Sequence, residues 1–298
     1  MKLIIRNSLA GCLTVLLLLG VLMPSGSALA DDTPDINATK RLALHGNVQA
    51  QNALATMYAK GQGVARDYSQ AHIWYHKAAE QGHADAQFNL GDMYHKGEGV
   101  RQDYTQAIDW YRKAVEQGHK TAQSEIEKIQ NTIAALKKMA EQGKVESMVA
   151  LADLYANSNG VPQDYEQAVR LYRKAAEQGD ATAQYKLGFM YAEGKGISQD
   201  FAQSVVWYRK AIDQDYAPAK YALGSMYFTG KGVAKDKVQA YAWLSLAAAQ
   251  GDANATINKE FAASRLTPEQ LTEAQALAVQ FQGKIDTQKQ KPTLPTGK

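Results

Sequence analysis

Short strings ending in Gln-Gly return along this chain at one fixed interval, and that interval constrains the fold more than any local motif. Lys77-Ala-Ala-Glu-Gln-Gly82 recurs as Lys113-Ala-Val-Glu-Gln-Gly118 and Lys174-Ala-Ala-Glu-Gln-Gly179, and in degenerate form as Lys210-Ala-Ile-Asp-Gln-Asp215 and Ala248-Ala-Gln-Gly251. The strings close five units of 36 residues, 47–82, 83–118, 144–179, 180–215 and 216–251. A shorter unit of 25 residues, 119–143, ends in Met139-Ala-Glu-Gln-Gly143 and stands between the second and third full units. A chain with such a period stacks one supersecondary unit on the next, and each unit buries its apolar face against its neighbours.

Each unit reads as two helices. Ala86, Leu90, Gly91 and Tyr94, with the equivalents Ala183, Leu187, Gly188 and Tyr191, fall on one stripe of a first helix. Glycine lowers helix propensity, so Gly91, Gly188 and Gly224 predict close approach of a neighbouring helix. A connector follows (Gly61-Gln-Gly63-Val64, Gly97-Glu-Gly99-Val100, Gly194-Lys-Gly196-Ile197, Gly230-Lys-Gly232-Val233), in which glycine permits positive φ and ends the helix. Asp67, Asp103, Asp164, Asp200 and Asp236 each precede a Gln by three residues, a pattern that predicts a capping box at the start of a second helix. On that helix Ala71, Trp74, Tyr75, Ala78 and Ala79 form the buried stripe, and Trp74, Trp110, Trp207 and Trp243 hold one repeat position, with Leu171 in the third full unit. That periodicity makes the tryptophans core residues, not a cofactor box.

A unit written A-x3-L-G-x2-Y-x2-G-x-G-V-x2-D-x3-A-x2-W-Y-x-K-A-A-E-Q-G resembles the Sel-one-like repeat (SLR) family, a relative of the tetratricopeptide repeat class, over residues 47–251. The resemblance implies an all-α fold, a right-handed α/α superhelical solenoid of helix-turn-helix repeats whose first helices line a concave surface. It also implies a non-catalytic adaptor or scaffold that binds a protein or peptide, with exported bacterial members acting in cell-envelope or virulence-related processes. Flanking the Leu-Gly-x-x-Tyr stripe, the concave face is expected to carry Asn52, Thr56, Phe88, Asp92, His95, Val149, Asp153, Tyr185, Phe189, Tyr221, Ser225 and Phe228. Its aromatic side chains concentrate in the last two full units, as Tyr185, Phe189, Tyr221 and Phe228, which suits peptide recognition. Phe88, Tyr185 and Tyr221 share one repeat position and are equally readable as inter-helix packing. A peptidoglycan-fragment or small-ligand binding module is the alternative function.

The ends and the short unit depart from the period. Lys2 and Arg6, the apolar run Leu13–Met23 and the small residues before Ala30 read as a cleaved signal peptide, 1–30. The run is too short for a membrane span of roughly 20 residues, so a periplasmic or secreted product without membrane insertion is expected. Leu9-Ala10-Gly11-Cys12 spells a lipobox, but the apolar run follows Cys12, which disfavours lipoprotein processing. Residues 31–46 read as a polar segment and the start of the first helix. The short unit lacks the connector and the capping Asp. Ala122, Ile126, Ile129, Ile133, Leu136 and Ala140 allow one continuous helix, and a turn at Gln130-Asn131 is the alternative; either way the array divides into two units plus three. Residues 252–281 read as capping helices, with Thr267-Pro-Glu-Gln270 as a helix start. Gln282–Lys298, polar with two prolines, reads as a mobile tail.

Other chemistries find little support. The net charge is +3, and +1 without Lys2 and Arg6, which argues against a duplex nucleic-acid binder. Cys12 is the only cysteine, so no disulfide or thiolate metal site is available. No Gly-x-Ser-x-Gly elbow, Ser-x-x-Lys motif or His-Glu-x-x-His pair occurs. Cysteine-rich relatives have been linked to β-lactam binding or hydrolysis, but this chain lacks their cysteines and a serine-lysine site. Gly224 to Lys231 is spaced roughly like a phosphate loop, yet Gly232 stands where Ser or Thr would bind magnesium and the segment is the repeat's own connector. His72 and His76, four apart, face alternatives as a metal pair or as one packed and one solvated residue. Glu80, Glu116, Glu141 and Glu177 read as solvated helix ends. No cofactor, metal or catalytic residue is expected.

Overall fold

A computed structural model describes residues 35–290, and every regular element among them is a helix. The segment 1–30 read as a signal peptide, with Cys12, lies outside the described residues. The first helices of the full units are α2 (Val48–Lys60), α4 (Ala84–Lys96), α7 (Val145–Asn157), α9 (Ala181–Glu193) and α11 (Ala217–Thr229); the second helices are α3 (Tyr68–Glu80), α5 (Tyr104–Glu116), α8 (Tyr165–Glu177), α10 (Phe201–Asp213) and α12 (Lys237–Ala249). Before them stands α1 (Ile36–Leu44), between the two halves α6 (Ala122–Glu141), and after them α13 (Ala253–Ala263) and α14 (Pro268–Lys289). Consecutive helices pack on each other throughout, the arrangement of an all-α solenoid.

The repeated residues carry this stacking. Leu54, Leu90, Leu187 and Leu223 are fully buried, each contributing about 2 kcal/mol of apolar transfer energy. A Cβ at Gly91 would lie 2.7 Å from Tyr111, and one at Gly188 would lie 2.8 Å from Tyr208, so the helical glycines seat the tyrosine of their own unit's second helix. The Lys of the closing string covers the tryptophan three residues before it: Lys77 over Trp74 at 4.2 Å, Lys113 over Trp110 and Lys210 over Trp207 at 3.8 Å. Buried Gln51, Gln87 and Gln184 donate to the carbonyls of Ala43, Ala79 and Ala176 at the end of the preceding helix. These bonds satisfy orphan helix-end acceptors.

Four expectations need correction or choice. The second-helix aspartates do cap, each accepting from the N–H three residues on, but the reciprocal glutamine bond is absent. The backbone N–H that the glutamine would meet is already taken, because Asp67, Asp103, Asp164, Asp200 and Asp236 donate to the carbonyls of Tyr58, Tyr94, Tyr155, Tyr191 and Tyr227. Among the described helices the full capping box occurs at Thr267–Gln270 of α14. Residues 36–44, read as part of a polar segment and the start of the first helix, form a separate helix, α1, which packs on α2 and buries Ala43. Residues 282–289, expected to be part of a mobile tail, are helical: α14 runs to Lys289, buries Ile285, stacks Phe281 on Trp243 at 4.2 Å and pairs Lys289 with Asp215 at 2.5 Å.

The short unit is one continuous helix, α6, about 30 Å long at 1.5 Å per residue. It packs between α5 and α7, and Ile126, Ile129 and Ile133 are buried in a core shared with α5, α7, α8 and α9. The array therefore does not break there. The connector after α7 reaches back past α6 to the start of α5: Tyr104 N–H donates to Asn159 Oδ1 at 2.5 Å, Thr105 Oγ1 to the Ser158 carbonyl at 2.5 Å, and Gly160 N–H to Thr105 Oγ1 at 2.8 Å. Connectors elsewhere dock one unit back in the same way, as Gly99 does on Tyr68 and Gly196 on Tyr165. α6 is thus a wedge between units that remain tied at their connector edge.

Candidate interaction groove

The residues assigned to the first-helix face separate into three environments. In the second unit, Phe88 stacks on His119 at 4.2 Å and lies 5.5 Å from Tyr111. Asp92 accepts from the Tyr111 hydroxyl and from Lys96, both at 2.6 Å, and His95 meets Tyr104 and Tyr111 edge-on. Burial and the Asp92 carboxylate push the Tyr111 hydroxyl well above the usual tyrosine range. Asp92 and the Tyr111 hydroxyl are thus partnered within the unit, and Phe88 and His95 are held in aromatic contacts.

At the C-terminal end Tyr221 accepts from Asn258 Nδ2 at 3.0 Å, and Phe228 lies 5.5 Å from Phe261. Phe228 and Phe261, together with Ser225, Thr229, Leu244 and Asn258, line a hollow of about 210 Å³ between α11 and α13. Tyr185 is also committed to packing, 5.7 Å from Tyr208 and 5.6 Å from Tyr216, and burial, with its neighbouring tyrosines, raises its pKa.

The third environment lies between α7 and α9. Phe189 is 39% exposed and stands over a hollow of about 270 Å³ that Tyr165, Tyr172, Tyr185, Met190, Asp153, Asn157, Lys186 and Lys195 also line. Lys186 Nζ donates to Asp153 Oδ1 at 2.6 Å across the two units, and the Tyr172 hydroxyl donates to the same oxygen. Burial and this carboxylate hold the Tyr172 hydroxyl in its neutral form. The Lys195 ammonium lies 5.5 Å from the Phe189 ring centre and 5.7 Å from that of Tyr165, with no carboxylate in ion-pair reach among the described residues. A second hollow of about 340 Å³, between α6 and α7, shares Asp153, Asn157 and Lys186 with the first and ends at Arg101. The two adjoin across Asp153, Asn157 and Lys186 and together make up the candidate groove.

Of the residues expected on this face, the groove brings together Asp153, Tyr185 and Phe189. Lys186, Lys195, Tyr165 and Tyr172 were missed. Aligning the units would have found Lys186, since the same position holds Ala53, Asn89, Ala150 and Ala222 elsewhere. Phe189 likewise stands where Thr56, Asp92, Asp153 and Ser225 stand. Tyr165 and Tyr172 carry no such signal, because they sit at ordinary consensus positions.

His72 and His76 lie with ring centres 5.9 Å apart; His72 hydrogen-bonds the Tyr94 hydroxyl at 3.2 Å and His76 packs edge-on to Trp110. Both rings serve packing contacts. Glu80, Glu116, Glu141 and Glu177 are exposed. Among the described residues no helix is long and apolar enough to cross a membrane.

The Sel1 repeat model matches residues 48–83, 84–119, 145–180, 181–216 and 217–252, one residue out of phase with the units read from the sequence. No match to a curated protein was found. Among solved structures, the chain is similar to a protective antigen of uropathogenic Escherichia coli strains that displays an SLR fold, at 32% identity and a TM-score of 0.50, over 88% of this chain and 60% of that one. The chain thus spans less than two thirds of that relative's length. It is also similar to a Sel1 repeat protein from Oxalobacter formigenes (31% identity, TM-score 0.39, 74% of this chain and 82% of that one) and to an immunity protein from Pseudomonas aeruginosa (22% identity, TM-score 0.34, 88% and 84%). With five matches filling most of residues 48–252, and the helix pairs, connectors and caps in the places that the repeat requires, this chain belongs to the Sel1 repeat family.

Proposed function

We propose that this protein is an exported, non-catalytic scaffold that holds a protein or peptide partner along the first-helix face, with the groove between α7 and α9 as its principal contact. Sel1 repeat proteins generally act as protein-interaction scaffolds. The observation that carries the placement is that Lys186 and Phe189 depart from the residues at their repeat positions and converge on one hollow. Inter-unit packing needs the consensus stripe, and neither residue belongs to it. The export expectation rests on the leader at 1–30, and with it a role in the cell envelope.

A crosslinking pull-down from the envelope fraction of the native organism tests the reading. The protein purified from cells expressing the full-length chain is compared with a Phe189→Ala, Lys186→Ala variant whose helicity and thermal midpoint are first checked. One partner captured by the parent and lost by the folded variant is the expected result. Equal capture by both would move the contact off this groove, and no enrichment over an unrelated solenoid would remove the scaffold reading.

A further inference from the structure

We infer that the groove between α7 and α9 recognises an extended protein segment carrying an acidic side chain next to an apolar one, the carboxylate going to Lys195 and the apolar side chain to the Phe189 hollow. This deepens the scaffold reading and rests on it. The argument begins with Lys195. The residue is partly buried, and its ammonium lies over two aromatic rings and without a carboxylate in ion-pair reach among the described residues. A cation over aromatic faces retains its full charge, and in a half-desolvated hollow that charge favours an anion more strongly than it would at an open surface.

The neighbouring charges sharpen the preference. Asp153 is the groove's carboxylate, and it is already neutralised by Lys186 and hydrogen-bonded by Tyr172. Lys195 at one end and Arg101 at the other then leave the groove with an excess of positive charge. The apolar share of the lining is Phe189, Tyr165, Tyr185 and Met190 in one hollow and Leu136 and Leu154 in the other, interspersed with Gln102, Asn157 and Asn159. An occupant that pairs both features carries acid beside apolar.

Shape selects a peptide. The hollow of about 270 Å³ is at or below the small end of ordinary small-molecule sites, roughly 300–1,000 Å³, which suits one or two side chains. The adjoining hollow past Asp153 and Asn157 gives room for a neighbouring side chain, which suits a stretch of extended chain. Residues 291–298 have no acidic side chain, so they do not supply the pairing of an acidic with an apolar side chain.

The test is selection from a random dodecapeptide library displayed on phage, using protein purified from cells expressing the full-length chain, alongside Lys195→Glu and Phe189→Ala. Thermal melts establish that the variants fold, and Lys195→Gln, which keeps the stem and removes the charge, stands in if Lys195→Glu does not. Enriched peptides are expected to carry Asp or Glu beside Leu, Ile, Met or Phe. A synthetic copy of the leading peptide should bind Lys195→Glu about tenfold more weakly, lose affinity for Phe189→Ala, and weaken as salt is raised. Acid-poor peptides, or equal affinity for parent and Lys195→Glu, would overturn the inference while leaving the groove intact. No selection over an unrelated solenoid would overturn the groove reading as well.

Discussion

Asp215 and Lys220 replace two consensus residues at once, and the pair makes a sharp test of how the fourth and fifth units are joined. Elsewhere these positions hold Gly and Gln, as in Gly82 with Gln87 and Gly179 with Gln184. Lys220 has no exposed side-chain surface, and its ammonium is bonded by Asp215, which is 15% exposed and also accepts from Lys289 of α14. Asp215 adopts φ 66°, a left-handed conformation that glycine takes freely. Asp215→Gly alone should strand the Lys220 charge in the core. Breaking a buried pair costs about 3–5 kcal/mol, relief of left-handed strain returns about 1 kcal/mol, and the net loss should be about 2–4 kcal/mol. Adding Lys220→Gln restores the consensus pair, whose amide can donate to the preceding helix end as Gln184 does, so the double variant should lie within about 1 kcal/mol of the parent. Urea titrations followed by far-UV circular dichroism at neutral pH measure all three proteins. A harmless Asp215→Gly, or a double variant as unstable as the single one, would refute the reasoning.

The same cluster sets a pH dependence. Burial alone would raise the Asp215 carboxyl, but hydrogen bonds and charge from Lys220 and Lys289 hold it down at about 2, against 3.8 for the free group. A depressed carboxylate contributes stability that is complete above 3.8 and is lost as pH falls through 2, about 2 kcal/mol in all; urea midpoints of the parent should therefore fall more steeply over that window than those of the double variant. Gly188→Ala should destabilise by about 1–2 kcal/mol, because the clash with Tyr208 outweighs the gain in helix propensity; an unchanged melt would mean that the ring moves aside freely. Ile129→Ala, in the middle of α6, should cost about 2–4 kcal/mol as a core cavity, whereas a loosely attached linker helix would tolerate it. The His72 imidazole should titrate below 6.5 by NMR, since burial and then the neighbouring His76 disfavour its proton.

What could be read in advance follows the range of the forces involved. Helix starts at Asp67, Asp103, Asp164, Asp200 and Asp236 were legible because an N-cap is a contact within four residues. The missing half of each capping box was not, since it depends on a tyrosine carbonyl nine residues upstream claiming the Asp N–H. The aromatic face was half legible. Phe189 was recognised, but Tyr185 and Tyr221, chosen by type and spacing, are occupied by Tyr208, Tyr216 and Asn258. The helical nature of residues 282–289 was hidden by their polarity, because what holds them is burial of Ile285 among residues of α10, α11 and α12 and the pairing of Lys289 with Asp215, far away in the chain.

The sequence by itself determined the unit: two helices, a glycine connector, a capping Asp and an apolar stripe, each specified by residues within one period. Only the tertiary structure decided which groups meet between units. Lys186 finds Asp153 at a separation of 33 residues, Asn159 reaches Tyr104 across 55, and Lys289 reaches Asp215 across 74. A repeat pattern dictates that neighbours stack, but the position of each side chain after stacking depends on the offset between helices. In this protein α6 contributes Leu136 to the groove, and α14 packs on α10 and α12 at the C-terminal end of the array.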